Sequence, residues 1–483
     1  MLRKGLSALT LTCCILFGAC STSMNNTPQF TSGVPMSLSM GDTPPSGVAV
    51  LFFEALITGA SLQPSDMTKP AVSVMSAPVE VEFSHLQTDI AFLSLQNVPP
   101  GTYKSITLTF GNAALTVVNH SPAGIGSCAS NAVCEMSPSF NPSTATLSSA
   151  PFPVTINANS VVGIRLDFNL NGSVQSDLSI NPMVSITKLT QRQDGDDKEE
   201  MEEMDEIEGQ VTGTATNQFM LMNERSGQSF TINVESNTRF EDFARSGCTA
   251  TPADISCVKT GQILEVTLTE NGMGTMLAKR VEFEEGANKA ALKGTITSVN
   301  GATEFHMVVF NEEPTVAGVS EGAPVDVMIA PNAVFQLGLG ELGDDSGFAL
   351  SGFQAGPFRF ASGADLLVGQ DVQIRPASVS TAAGVTTVTT DLVRLWSSQV
   401  SGTVGMLNTD GTFTLTGLSP LFTGATPPIT TINVMTLTGI DFMDFPGSSS
   451  VAAGNAVSVR GLLFNTTPTP TLVTLFVRDQ NEH

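Results

Sequence analysis

Apolar and polar residues alternate through residues 34–190. Val79, Val81 and Phe83 are separated by Glu80 and Glu82, and Ile106, Leu108 and Phe110 by Thr107 and Thr109. Ile164, Leu166, Phe168 and Leu170 are separated in the same way by Arg165, Asp167 and Asn169. A period of two sends one set of side chains to a core and the other to water, which predicts half-buried antiparallel strands. Pro99, Pro100 and Gly101 mark a turn before the next strand. No comparable helical stripe is present, and a β-sandwich is the economical architecture.

From residue 209 onward the pattern repeats three times, over residues 209–286, 293–397 and 400–480. Each unit opens on a glycine leading a strand: Gly209, Gly294 and Gly402. Two openings carry a hairpin dipeptide, Asn300-Gly301 and Asp410-Gly411, suited to a tight primed turn. A middle strand ends on Phe240, Phe335 or Phe442. A glycine and an amide residue then lead an alternating strand: Gly261-Gln262, Gly369-Gln370 and Gly454-Asn455. Each unit closes on an apolar strand carrying a charge, around Val281, Val393 and Val477. Landmarks in the same order identify a tandem repeat, and about five short strands per unit is the scale of a small closed barrel. The middle unit carries an insertion, residues 337–360.

Two family resemblances rest on these residues. The first half resembles domain of unknown function 4382, through Gly47-Val48-Ala49-Val50, residues 56–62, Leu93-Ser94-Leu95-Gln96 and Val98-Pro99-Pro100-Gly101-Thr102-Tyr103. That resemblance implies an Ig- or transthyretin-like sandwich on exported lipoproteins and supplies no catalytic residues. The repeats resemble domain of unknown function 5666, which recurs in tandem on exported bacterial proteins and implies OB-like barrels. The expected fold is therefore all-β, a sandwich followed by three small OB-like barrels in a row.

The first 21 residues change the picture from fold to location. Arg3 and Lys4 precede an apolar run from Leu6 to Phe17, which is the length of a signal peptide and too short for a permanent span. The run ends in Leu16-Phe17-Gly18-Ala19-Cys20, which resembles the bacterial lipobox with Phe17 where the pattern has Leu. The resemblance implies cleavage after Ala19 and lipid on Cys20, and Ser21 implies passage to the outer membrane. Residues 20–33 then read as a tether. Cys13 and Cys14 leave with the signal, and the remaining four cysteines fall into two close pairs, Cys128 with Cys134 and Cys248 with Cys257. Local disulfides in an oxidising compartment follow. The spacing does not fit a four-thiolate zinc site.

The formal charge is −24, and about −26 without Arg3 and Lys4. Much of the acidity lies in residues 191–208, read as a self-repelling interdomain linker. Lys198 and Glu199 stand where an EF-hand loop needs an oxygen ligand and a glycine. This acidity argues against nucleic acid as a partner.

Chemistry is sparse. Gly338-Leu339-Gly340-Glu341-Leu342-Gly343 is a literal GxGxxG, but Asp344 and Asp345 follow it and no helical stripe does, so no dinucleotide site is read there. His85, His120, His306 and His483 have no metal-ligand spacing, and no nucleophile elbow is present. One tryptophan, Trp396, and one tyrosine, Tyr103, against 28 phenylalanines argue against a sugar platform. No catalytic, cofactor or metal residue is assigned. The expectation is a non-enzymatic lipid-anchored envelope or surface protein with a structural or adhesive role. Its partners would be the membrane and an envelope or extracellular protein or glycan, and no nucleic acid. A ligand or cation sensor and an envelope hydrolase using dispersed carboxylates are the alternatives.

Overall fold

The computed structural model describes residues 34–43, 48–86, 91–121, 124–125, 128–158, 162–175, 178–189, 204–223, 227, 229–270, 276–285, 290–313, 315–338, 358–408, 412–443 and 451–480. The sequence readings at Cys20 and its signal and tether, most of the acidic linker, Leu339 to Gly343, Asp410-Gly411 and His483 lie outside these residues.

Eleven strands make the first module. They are β1 (Val34–Thr43), β2 (Ala49–Pro64), β3 (Val72–Ser73), β4 (Val79–Glu82), β5 (Ala91–Val98) and β6 (Gly101–Asn119), followed by β7 (Ala132–Met136), β8 (Thr144–Leu147), β9 (Val154–Ile156), β10 (Val162–Asn169) and β11 (Val184–Leu189). One sheet has the order β11-β10-β1-β5; the other is built on β3-β2-β6-β7, with β4 on β2 and β8 and β9 on β6. Apolar residues of both sheets meet in one core, where Phe53, Phe83 and Phe168 lie with ring centroids 4.8–5.7 Å apart. Pairing is antiparallel except between β1 and β10, which run parallel.

The alternation holds inward, and outward it is broken at two positions, while Glu80 and Thr109 are exposed as expected. Val81, Phe83, Ile106, Leu108, Ile164 and Leu166 are all buried, as the period of two requires. Glu82 and Asp167, placed on the solvent side by the same pattern, are each only 8% exposed. For Glu82 the reason is that other modules of the chain cover that face.

Three closed five-stranded barrels follow. The first is β12 (Met204–Ala215), β13 (Gln218–Met222), β14 (Ser229–Glu241), β15 (Ile263–Glu270) and β16 (Met276–Glu285). The second is β17 (Ala291–Val299), β18 (Glu304–Glu313), β19 (Pro324–Leu337), β20 (Asp371–Ala382) and β21 (Val385–Trp396). The third is β22 (Ser398–Leu407), β23 (Phe413–Thr416), β24 (Ile432–Met443), β25 (Ala456–Phe464) and β26 (Thr471–Asp479). Each has the order first-second-third-fifth-fourth, with the third and fifth strands parallel and the fourth returning to the first. This is an OB-like barrel. The first barrel begins at Met204, so Glu206 and Glu208 are strand residues.

The repeated sequence landmarks have one physical basis. A Cβ added to Gly294 would lie 2.6 Å from the Val308 carbonyl oxygen, and at Gly402 2.8 Å from that of Thr416; at Gly209 it would collide with Met222. Only glycine lets the first and second strands approach there. Gly261, Gly369 and Gly454 have φ of 90°, 83° and 95°, the left-handed region that glycine enters freely. Their N–H groups donate to the carbonyls of Val211, Ile296 and Val404, each at 2.8 Å. The amide side chain that follows accepts from the N–H three residues earlier: Gln262 from Lys259, Gln370 from Leu367 and Asn455 from Ala452, at 2.6–2.7 Å. The glycine-amide pair is thus the turn that carries the fourth strand back onto the first. At Asn300-Gly301 only the glycine takes positive φ, 72°, and the turn is a longer loop closed by Asn300 N–H on Glu304 O, not the primed two-residue turn expected.

The modules do not follow one another in a simple row. Ala49, Leu51, Phe52 and Val118 on the outer side of the sandwich form a separate apolar cluster with Val308 of the second barrel and Leu421 near the third. Leu462, Phe464 and Val473 of the third barrel join the core of the second.

Candidate functional site

The meeting point of the sandwich with the second and third barrels concentrates the polar side chains. After β4 the chain bends as Phe83 turns inward, leaving Glu82, Ser84 and His85 at the seam. Glu82 Oε1 accepts from Phe53 N–H at 3.2 Å and Ser84 N–H at 3.0 Å, and also from the Ser84 hydroxyl. Its Oε2 accepts from His85 N–H at 3.2 Å and lies 2.7 Å from His85 Nδ1. Buried carboxylates need such a set of donors to offset lost hydration.

The seam is closed from the barrel side. The His85 ring lies against Phe310 of β18, centroids 4.0 Å apart, and Gln399 of β22 donates to the His85 carbonyl. Asp371, at the start of β20, is 3% exposed. Its carboxylate accepts from the Thr295 hydroxyl at 2.5 Å, and its N–H donates to Ser398 Oγ at 2.8 Å. Burial pushes the Asp371 carboxyl up to about 6; His85, Thr295 and the Gln399 backbone oppose the rise, and Glu82 adds to it.

Between these groups is a cavity of about 80 Å³, lined in part by Ser84, His85, Thr295, Asp371, Gln399 and Leu421. Sites for small organic ligands run to about 300–1,000 Å³. The space is that of a few waters, each about 30 Å³. Ser84 and His85 both bond to Glu82, so the carboxylate sits between them, whereas a nucleophile relay needs the histidine in the middle. The arrangement can hold and release a proton at Asp371, and it ties three modules together.

A second polar cluster lies where the first barrel meets the second. Lys293 of β17 is 4% exposed; its ammonium is 3.3 Å from both Glu208 carboxylate oxygens and 4.3 Å above the Trp396 ring. Nearby, Glu265 of β15 and Glu282 and Glu284 of β16 bring carboxylate oxygens within 4.8 Å of one another. Arg280 reaches Glu282 at 3.3 Å and Glu265 at 3.5 Å. Burial, then Glu284 and Glu265, hold Glu282 well above the ordinary carboxyl range, with Arg280 opposing; burial also raises Glu284.

The residues singled out in the sequence are dispersed. Cys128–Cys134 and Cys248–Cys257 are disulfide-bonded, with Cα atoms 5.7 and 5.4 Å apart, which belongs to an oxidising, exported environment. Among the described residues no helix is long and apolar enough to cross a membrane. Tyr103 is buried and donates to Pro99 O at 2.7 Å, a packing role. His306 pairs with Asp326 at 2.5 Å, and His120 lies 3.3 Å from Asn131. Gly338 sits against the Trp396 ring and donates its N–H to Leu395 O. The seam residues Glu82, Asp371 and Gln399 were not legible as site residues. The Glu282–Glu285 stretch had a signal: Glu282, beside Val281 in the closing strand, is acidic where Arg394 and Arg478 follow Val393 and Val477 in the sister repeats.

No family model and no curated protein matches the chain. Solved structures do. "Drosophila Unr CSD456" is 10% identical, covering 58% of this chain and 99% of that one, with a TM-score of 0.13. A multidomain protein with nucleic acid binding domains from Streptococcus pneumoniae is 8% identical over 56% and 73%, TM-score 0.11. A deletion mutant of the single-stranded DNA binding protein from Thermus aquaticus is 11% identical over 40% and 95%, TM-score 0.14. TM-scores this low transfer no ligand to this chain. The partner expectation is corrected in one respect, the exclusion of nucleic acid, which does not stand when two of these similar chains are named for binding nucleic acid. Net charge is a sum over the whole molecule, while nucleic-acid binding depends on a local groove, so acidity alone cannot make that exclusion.

Proposed function

We propose that this chain is an exported, non-enzymatic envelope or cell-surface protein, carried on a lipid at Cys20, whose β-modules act through their shape in a structural or adhesive role. The observation that carries the reading is the seam. Apolar side chains of three modules share one cluster around Phe52, and the polar groups beside it are engaged with one another around a cavity too small for an organic substrate. A protein that works by shape needs its modules held in one arrangement, and a buried inter-module cluster supplies that. The two disulfides support the exported setting.

The test has two arms. Replacing Cys20 with Ser is expected to abolish acyl labelling and release the chain from the membrane fraction; labelling and membrane association that survive would overturn the anchor. Purified mature protein is expected to turn over no envelope polymer. Turnover that disappears on replacing one carboxylate, Glu82→Gln or Asp371→Asn, would overturn the non-enzymatic role.

A further inference from the structure

Glu282 and Glu284 lie on the outward face of β16, since Val281 and Phe283 fill the core of the first barrel. Both are 1% exposed, and neither carboxylate oxygen of Glu284 has a hydrogen-bond partner. A buried carboxylate without a donor is costly because its lost hydration is not replaced, and proteins resolve that cost by protonation, pairing or a metal. Arg280 meets the other two carboxylates; Lys293, Arg245 and Arg394 act on the Glu284 carboxylate through space, and Arg245 donates to the Glu284 backbone carbonyl at 3.4 Å.

The sister barrels show what that position ordinarily holds. Glu282 stands opposite Glu265 in the pairing of the fourth and fifth strands; the same register places Arg394 opposite Gln373 and Arg478 opposite Ser458. Arg394 donates to Gln373 and to Gln336. Two barrels therefore place a cation of their own there, while the first barrel places a carboxylate beside two more.

We propose that Glu265, Glu282 and Glu284 form a binding site for one hard divalent cation of the calcium class. Three carboxylates with no sulfur or imidazole donor select hard cations. One carboxylate oxygen from each lies within 4.8 Å of those of the other two. Opposite ligands around calcium, at about 2.3–2.6 Å from the ion, are separated by up to about 5 Å, and around magnesium by about 4 Å. Glu265, whose side chain is 11% exposed, provides the way in. The bound ion takes the place that arginine holds in the other barrels, and this assignment does not depend on how the chain is anchored.

The test is titration of calcium chloride alone into the chelator-stripped mature chain, followed by calorimetry and by thermal melting at constant ionic strength. One saturable equivalent is expected, with a dissociation constant of about 10⁻⁴–10⁻³ M or tighter, as for extracellular calcium modules, and a melting temperature that rises with occupancy. Glu284→Gln and Glu265→Gln should each weaken binding at least about tenfold, by analogy with the losses seen on removing a metal site's supporting groups. Asp66→Asn, at an exposed acid of the sandwich, should not weaken it. Absence of saturable binding, or equal affinity in the two glutamate variants, overturns the site. If Glu284→Gln does not fold, the more exposed Glu265→Gln decides.

Discussion

Asp371 is a carboxyl group that burial holds near pKa 6, against 3.8 for the free side chain. A raised acid pKa means the folded state binds the proton more tightly, so stability falls as pH rises from about 4 to about 6. The shift corresponds to about 3 kcal/mol, absent below pH 4 and complete above pH 6. Asp371→Asn retains an acceptor for Thr295 without the titration. Denaturation at pH 4.5 and pH 7.5 is expected to show the variant gaining on the wild type as pH rises; a constant difference would refute the assignment. Tyr103 makes a simpler case. Tyr103→Phe keeps the buried ring and removes the donor to Pro99 O, and about 1 kcal/mol of stability is expected to go with it in urea titrations.

At the scale of the element, the glycine-amide turn occurs three times in different surroundings. A Cβ at Gly454 meets no atom within 4 Å, whereas at Gly369 it would strike the ring of Phe422 beside the third barrel. Both positions have left-handed φ, which costs an alanine about 1–2 kcal/mol. Gly454→Ala should therefore lose about that much, and Gly369→Ala a further 1–3 kcal/mol, roughly, from overpacking. Equal losses in denaturant would mean that the contact between barrels is not tight at this turn.

At the scale of the molecule, Phe52 distinguishes module stability from assembly. It is 1% exposed yet belongs to the seam cluster, and Phe53, beside it, belongs to the sandwich core. Phe52→Ala should cost about 3–5 kcal/mol, the range for a buried aromatic. That loss should fall on the coupling between modules, splitting the calorimetric melt into resolved transitions with the sandwich still folded. A single transition merely shifted downward would show that Phe52 supports the sandwich itself.

The all-β class, the repeat and the special turns were legible because their causes are local. A period of two follows from strand geometry at each residue, and Gly261, Gly369 and Gly454 stand out because few other residues take their φ. The two cysteine loops are short enough to read in the same way. Periodicity, however, says only which face a residue occupies. It is silent on whether that face meets water or another module, and so Glu82, Glu282 and Glu284, outward by pattern, are buried in the folded chain. Residues far apart in sequence, such as Ser84 and Asp371, are brought together by how the modules pack, and packing is decided by surface shape summed over many side chains. Local propensity determined the modules; only the tertiary structure decided which of their polar faces became interior.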